Sequence, residues 1–205
     1  MEGMWILAAV FAFVTVMGVV AYFISRQSAV QLEAVARELG SKTTSKGGFL
    51  GDSVISFEQG GTVFTGRVAW MKYACHYRVT FETFPSLLHF QIKSRRPRGF
   101  ASYATQPSAD RVYWNLSTAT SPLSVDYLLS SNDPQKFEPL ITDDFLSAEI
   151  IKFDLSSDQY FEILFENGSF ELFYGSDGRN FKKKLRDMFQ TAIKFRDRLS
   201  ASSPE

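Results

Sequence analysis

The sequence predicts an α+β protein: one N-terminal transmembrane helix with a helical stem, then an antiparallel β-sheet domain with a C-terminal packing helix. Three observations predict it. The run 4–24, MWILAAVFAFVTVMGVVAYFI, contains no charged residue. Beyond it, short runs of β-branched and aromatic residues alternate with polar ones, as half-buried strands do. Residues 180–199 instead repeat apolar side chains at helical spacing.

At about 1.5 Å per residue the first run spans roughly 30 Å, the thickness of a bilayer's hydrocarbon core. A cleavable signal is the competing reading, but it needs a basic leader, an apolar centre of about 7–15 residues and a small-x-small cleavage site. Here Glu2 precedes the run, no Lys or Arg does, and no lipobox cysteine follows. The segment therefore reads as a retained anchor in the inner membrane, with Trp5 and Tyr22 near the headgroup levels. Arg26, Arg37, Lys42 and Lys46 follow the span, whereas only the terminal amine precedes it. Positive residues stay on the cytoplasmic side, so the domain is expected in the cytoplasm.

Residues 25–39, SRQSAVQLEAVAREL, hold no Gly or Pro and stop at Gly40, a natural helix terminator. They form the stem, and its stripe of Ala29, Leu32, Ala36 and Leu39 packs either on its own domain or on a second copy. SKTTSKGGFLGD reads as a loop. Strands follow at 53–58, 61–70, 73–81, 88–93 and 111–116, joined as a meander through Gly60-Gly61 and a break near Met71. SRRPRGFASYATQPSAD reads as a long loop, and 124–129 as a further strand. Asp133-Pro134 opens a helix over 134–140, because proline is tolerated in a first turn. A second runs from 143 or 144 toward 150 with Thr142 as a candidate N-cap. Strands 160–165 and 169–174 flank Asn167-Gly168, a dipeptide suited to the positive φ angles of a two-residue hairpin turn. The closing helix, 180–199, turns Phe181, Leu185, Phe189, Ala192, Ile193 and Leu199 inward, with Met188 on the flank. A pleckstrin-like barrel capped by this helix is the alternative, against which the helical segment 134–150 argues. The organisation is thus 1–26 anchor, 27–40 stem, 41–52 loop, 53–199 domain and 200–205 tail.

A stem ending in ELG, a Gly-rich entry, GGTVFTGRVAW, YRVTFETF, SVDYLLSSNDPQKFEPLI, a hairpin and a terminal Phe/Leu helix occur in that order. This order resembles a group of bacterial membrane-anchored domains in which a strand reading roughly Phe-x-Val-x-Ser-x-Asp-Pro leads into a helix ending in a Leu-Leu pair. The corresponding positions are Tyr127, Leu129, Ser131, Asp133 and Pro134, and the likeness covers residues 30–199. It implies architecture and anchorage, and no activity, cofactor or catalytic residue.

Twenty Phe and eight Tyr supply a core, and 22 basic residues balance 22 acidic ones. Zero net charge gives no reason to expect a nucleic-acid partner. A lone Cys75 excludes an internal disulfide framework. Cys75 and His76, adjacent on a strand, point to opposite faces, the reverse of what a catalytic dyad needs. There is no CxxC, HExxH, Walker or EF-hand spacing, and the acids at Asp143-Asp144 and within 154–158 read as solvated loops. No catalytic, cofactor or metal residue is therefore expected. The feature that points outward is KSRRPR, with Lys93, Arg95, Arg96 and Arg98, together with the basic face of the closing helix. That face holds Lys182, Lys183, Lys184 and Arg186, then Lys194, Arg196 and Arg198. Such a surface suits anionic lipid headgroups or a protein partner. The expected function is a membrane-anchored interaction module without catalysis. The alternative is a domain that binds an apolar ligand in its Phe-rich interior, or an enzyme with no recognisable motif.

Overall fold

The computed structural model describes residues 2–39, 44–47, 52–71, 74–83, 86–94, 114–115, 127–142, 144–153, 160–176 and 180–201. Its sheet begins with alternation. In β2 (Asp52–Gln59) and β3 (Thr62–Met71) the inward residues Ile55, Phe57, Phe64 and Val68 are buried, while Glu58, Val63 and Arg67 face outward. Gly60 and Gly61 turn the chain with φ of 58° and 74°, the left-handed pair that a two-residue hairpin requires. β4 (Ala74–Glu82) continues the meander against β3.

Two features depart from the expectation. The stretch read as a loop before residue 53 contains β1 (Thr44–Gly47), which pairs with β2 from Thr44↔Ser56 to Gly47↔Ser53. Its short, polar TSKG sequence has no apolar alternation, so backbone pairing alone defines it. The meander also ends at β4. Its next neighbour is β9 (Ser169–Ser176), not β5 (Phe90–Ser94), and the order among the described residues is β1-β2-β3-β4-β9-β8-β5-β7-β6. The remaining strands are β6 (Trp114–Asn115), β7 (Tyr127–Ser131) and β8 (Tyr160–Glu166), and all described pairings are antiparallel. Aromatic matching explains the insertion. Across β4–β9, Phe81 lies opposite Phe170 with stacked rings 4.5 Å apart, Val79 opposite Leu172 and Tyr77 opposite Tyr174. Cross-strand aromatic pairs of this kind stabilise a register. The β8–β9 hairpin turns at Asn167 and Gly168, with φ of 52° and 80°, as the Asn-Gly dipeptide predicts.

Helices cover one face. α2 (Pro134–Thr142) starts where the Asp133 carboxylate accepts the Lys136 N–H, and its Phe137 stacks on Phe90 at 4.9 Å. α3 (Asp144–Ile151) leads to Phe153, whose ring meets Phe161 at 4.8 Å and Tyr174 at 5.3 Å. α4 (Phe181–Ala201) lays Leu185, Met188, Phe189, Ala192, Phe195 and Leu199 on the sheet. The expected stripe is therefore extended by Phe195, and Met188 moves from its flank to full burial. Phe189 sits directly over Gly66, where a Cβ would come within 2.3 Å of its ring.

α1 (Glu2–Glu38) is one unbroken helix, about 55 Å long at 1.5 Å per residue, so anchor and stem are continuous. Val35 joins the domain core at 0% exposure and Leu39 packs against it. Ala29, Leu32 and Ala36 of the expected stripe have side chains outside the described set. The protein is thus an apolar N-terminal helix joined to an α+β domain.

Candidate functional site

The helical face is filled by apolar contacts, so the polar groups available for recognition lie on the outer sheet face and at the start of α4. The expected basic cluster is divided between them. Lys93 lies on the outer face of β5, with Nζ 5.9 Å from the Tyr160 ring centre. Lys182, Lys183, Lys184 and Arg186 lie on the first turns of α4, while Arg95, Arg96 and Arg98 fall outside the described residues. Asp143 and residues 154–158 do so too.

Among the α4 cations, Lys182 and Arg186 both hold Glu38 at the end of the stem. The Lys182 hydrogen bond, opposed by burial and reinforced by Arg186, keeps the Glu38 carboxyl below its usual range. Lys184 turns away from solvent, donating to the Ser176 hydroxyl at 3.0 Å and lying 5.7 Å from the Tyr174 ring centre. Lys183 is exposed. Further along, Lys194 and Lys152 donate to the buried Glu149 carboxylate, which burial would raise but these hydrogen bonds hold low. Arg196 is 9% exposed and donates to the carbonyls of Gln59 and Gly60 and to the Thr62 hydroxyl. It pins the β2–β3 turn. Sequence reasoning placed it on the solvated face, although positions 189, 192, 196 and 199 lie on one helical stripe.

The outer face carries residues that the sequence reading did not single out. On β8, the buried carboxylate of Glu162 accepts from Gln91 on β5 and from the Tyr160 hydroxyl. Burial, with Glu162 as neighbour, pushes the Tyr160 phenol up. Next to it Arg78 of β4 meets Glu171 of β9 at 3.2 Å. Burial raises the Glu171 carboxyl, Arg78 opposes that, and Glu162 adds to it. Arg67 stands exposed directly opposite Arg78. The signal was the alternation in TGRVAW and YRVTF, which sends both arginines to one face.

Cys75 and His76 lie on opposite faces, as expected of strand neighbours. Cys75 is fully buried and burial pushes its thiol up to about 12, far from the thiolate a nucleophile needs. His76 rests edge-on to Phe173 at 5.4 Å, and burial lowers its pKa, favouring neutral imidazole. Among the described residues no group of three His, Cys, Asp or Glu side chains is placed to hold a metal ion. Comparison of the chain with protein families, curated proteins and solved structures finds no match.

Proposed function

We propose that this is a single-pass membrane protein whose domain stands in the cytoplasm beside the inner membrane and serves as a protein-interaction module without catalysis. One observation carries the reading. The window Trp5–Phe23, 19 residues of unbroken helix, has none of its length packed inside the protein, and the same helix ends by docking Val35 into the domain core. Apolar surface left in water costs about 25 cal/mol per Å², a cost that lipid removes. Arg26 and Arg37, exposed beyond the span, favour the cytoplasmic side for the domain.

The rigid stem favours a protein over a lipid partner. Glu38 lies 15 residues past Phe23, about 22 Å along the helix. Screening at physiological salt acts over about 8 Å, so Lys182 and Arg186 at that level are poorly placed to feel their own bilayer's headgroups. The test is protease protection of a C-terminal tag on the full chain in sealed cells. Protection until the membrane is opened is the expected result. Cleavage from outside would overturn the orientation, and recovery of the chain in the soluble fraction would overturn the anchor.

A further inference from the structure

The outer face of β2, β3 and β4 is striped by charge. Arg67 and Arg78 face each other across β3 and β4, although like charges directly opposite destabilise a sheet. Glu171 answers Arg78, but no acid pairs with Arg67 among the described residues. Two residues along lies the hydroxyl row Thr65↔Thr80, extended by Ser56, whose Oγ is 3.1 Å from Thr65 Oγ1. Two further along come the exposed glutamates, Glu58 on β2 and Glu82 on β4, flanking Val63 at 56% exposure. The arginine and glutamate rows are therefore about 13 Å apart along the strands, with neutral hydroxyls between.

The geometry points to a second copy of this chain as the occupant of this face. A two-fold axis along the hydroxyl row, midway between two facing sheets, places each copy's arginine row over the other's glutamate row. Arg78 then lies over Glu82 of the second copy, and Arg67 over Val63 between Glu58 and Glu82 of the second copy. Thr65 lies near its own equivalent. A uniformly acidic partner would meet the glutamates and a uniformly basic one the arginines. Only a surface with both signs in reversed order satisfies the face, and this chain presents that order in an isologous pair.

Magnitude sets the regime. Three strands about 4.8 Å apart and about 26 Å long offer roughly 370 Å² per copy, about 750 Å² in total, smaller than a stable interface and in the range of weak, transient contacts. The charges fix orientation more than affinity. The pair is weak in dilute solution and populated when copies share one bilayer, where tethering raises their effective concentration.

The experiment is oxidative cross-linking of full-length chain carrying Thr65→Cys, reconstituted in lipid vesicles. Cys75 is fully buried, so the introduced thiol is the reactive one. Disulfide dimer is expected in clear excess over a Lys183→Cys chain, whose thiol lies on α4. Adding Arg67→Glu lowers the yield about fivefold, and Arg67→Glu with Glu58→Arg restores it. If thermal unfolding reveals that Arg67→Glu does not fold, Glu58→Arg alone replaces it, with the same loss expected. Equal cross-linking of the two cysteine positions, or a yield indifferent to the charge reversal, overturns the pairing. If the chain proves soluble, the same comparison is made in concentrated solution, so failure of the anchor reading remains separate.

Discussion

Gly66 has no space for a methyl group, because Phe189 of α4 occupies it. Gly66→Ala is expected to destabilise the domain by about 1–3 kcal/mol, the usual cost of overpacking, read as a lower denaturation midpoint at unchanged slope. An unchanged midpoint would mean that α4 shifts freely on β3. Cys75 makes a different claim. With its thiol pushed up to about 12, it should resist alkylation at pH 8 in the native chain and label completely in denaturant. Rapid native labelling would contradict its burial. At this scale the sequence was informative where spacing decided the outcome and silent where tertiary contact did. The opposite faces of Cys75 and His76 follow from strand geometry alone. The burial of Arg196 depends on a hairpin turn far away in sequence, and the pairing of Arg67 with Arg78 on strand register.

The stem is the element that couples the apolar helix to the domain, through Val35 in the core and Glu38 between Lys182 and Arg186. Because the folded Glu38 pKa lies below its ordinary 4.5, its contribution is present above that pH and lost as pH falls through the folded value. Amide protection of stem residues 31–39 should therefore fall on acidification below about 4.5, ahead of the β8–β9 strands, and Glu38→Gln should abolish that difference. Stem protection that tracks the sheet at every pH would remove Glu38 from the docking. Elements with a local code were legible: the Asn167-Gly168 hairpin, the proline-initiated α2 and the amphipathic α4. β1 carries no such code, since its TSKG residues gain their conformation only from the edge of β2.

For the whole molecule, the α+β class and the covering helix were readable from periodicity, but strand order was not. Periodicity records which side of a strand is apolar, not which edge it joins, and β4 finds β9 because Phe81, Val79 and Tyr77 match Phe170, Leu172 and Tyr174 across 90 or so residues of chain. A chain truncated after residue 159 lacks both central strands, so it should show no cooperative thermal transition by circular dichroism; a sharp one would mean that β1–β4 folds alone. The insertion also bears on biosynthesis. The apolar helix leaves the ribosome before any of the strands, yet β4 has only one of its neighbours until Ser176 has been made, 94 residues after Glu82. At roughly 5–20 residues per second that interval is about 5–19 s, during which an aromatic strand edge is open beside any neighbouring nascent chain. The time of greatest aggregation risk is thus set by the position of the last hairpin in the gene's reading order, and slowing translation upstream of it would lengthen that risk.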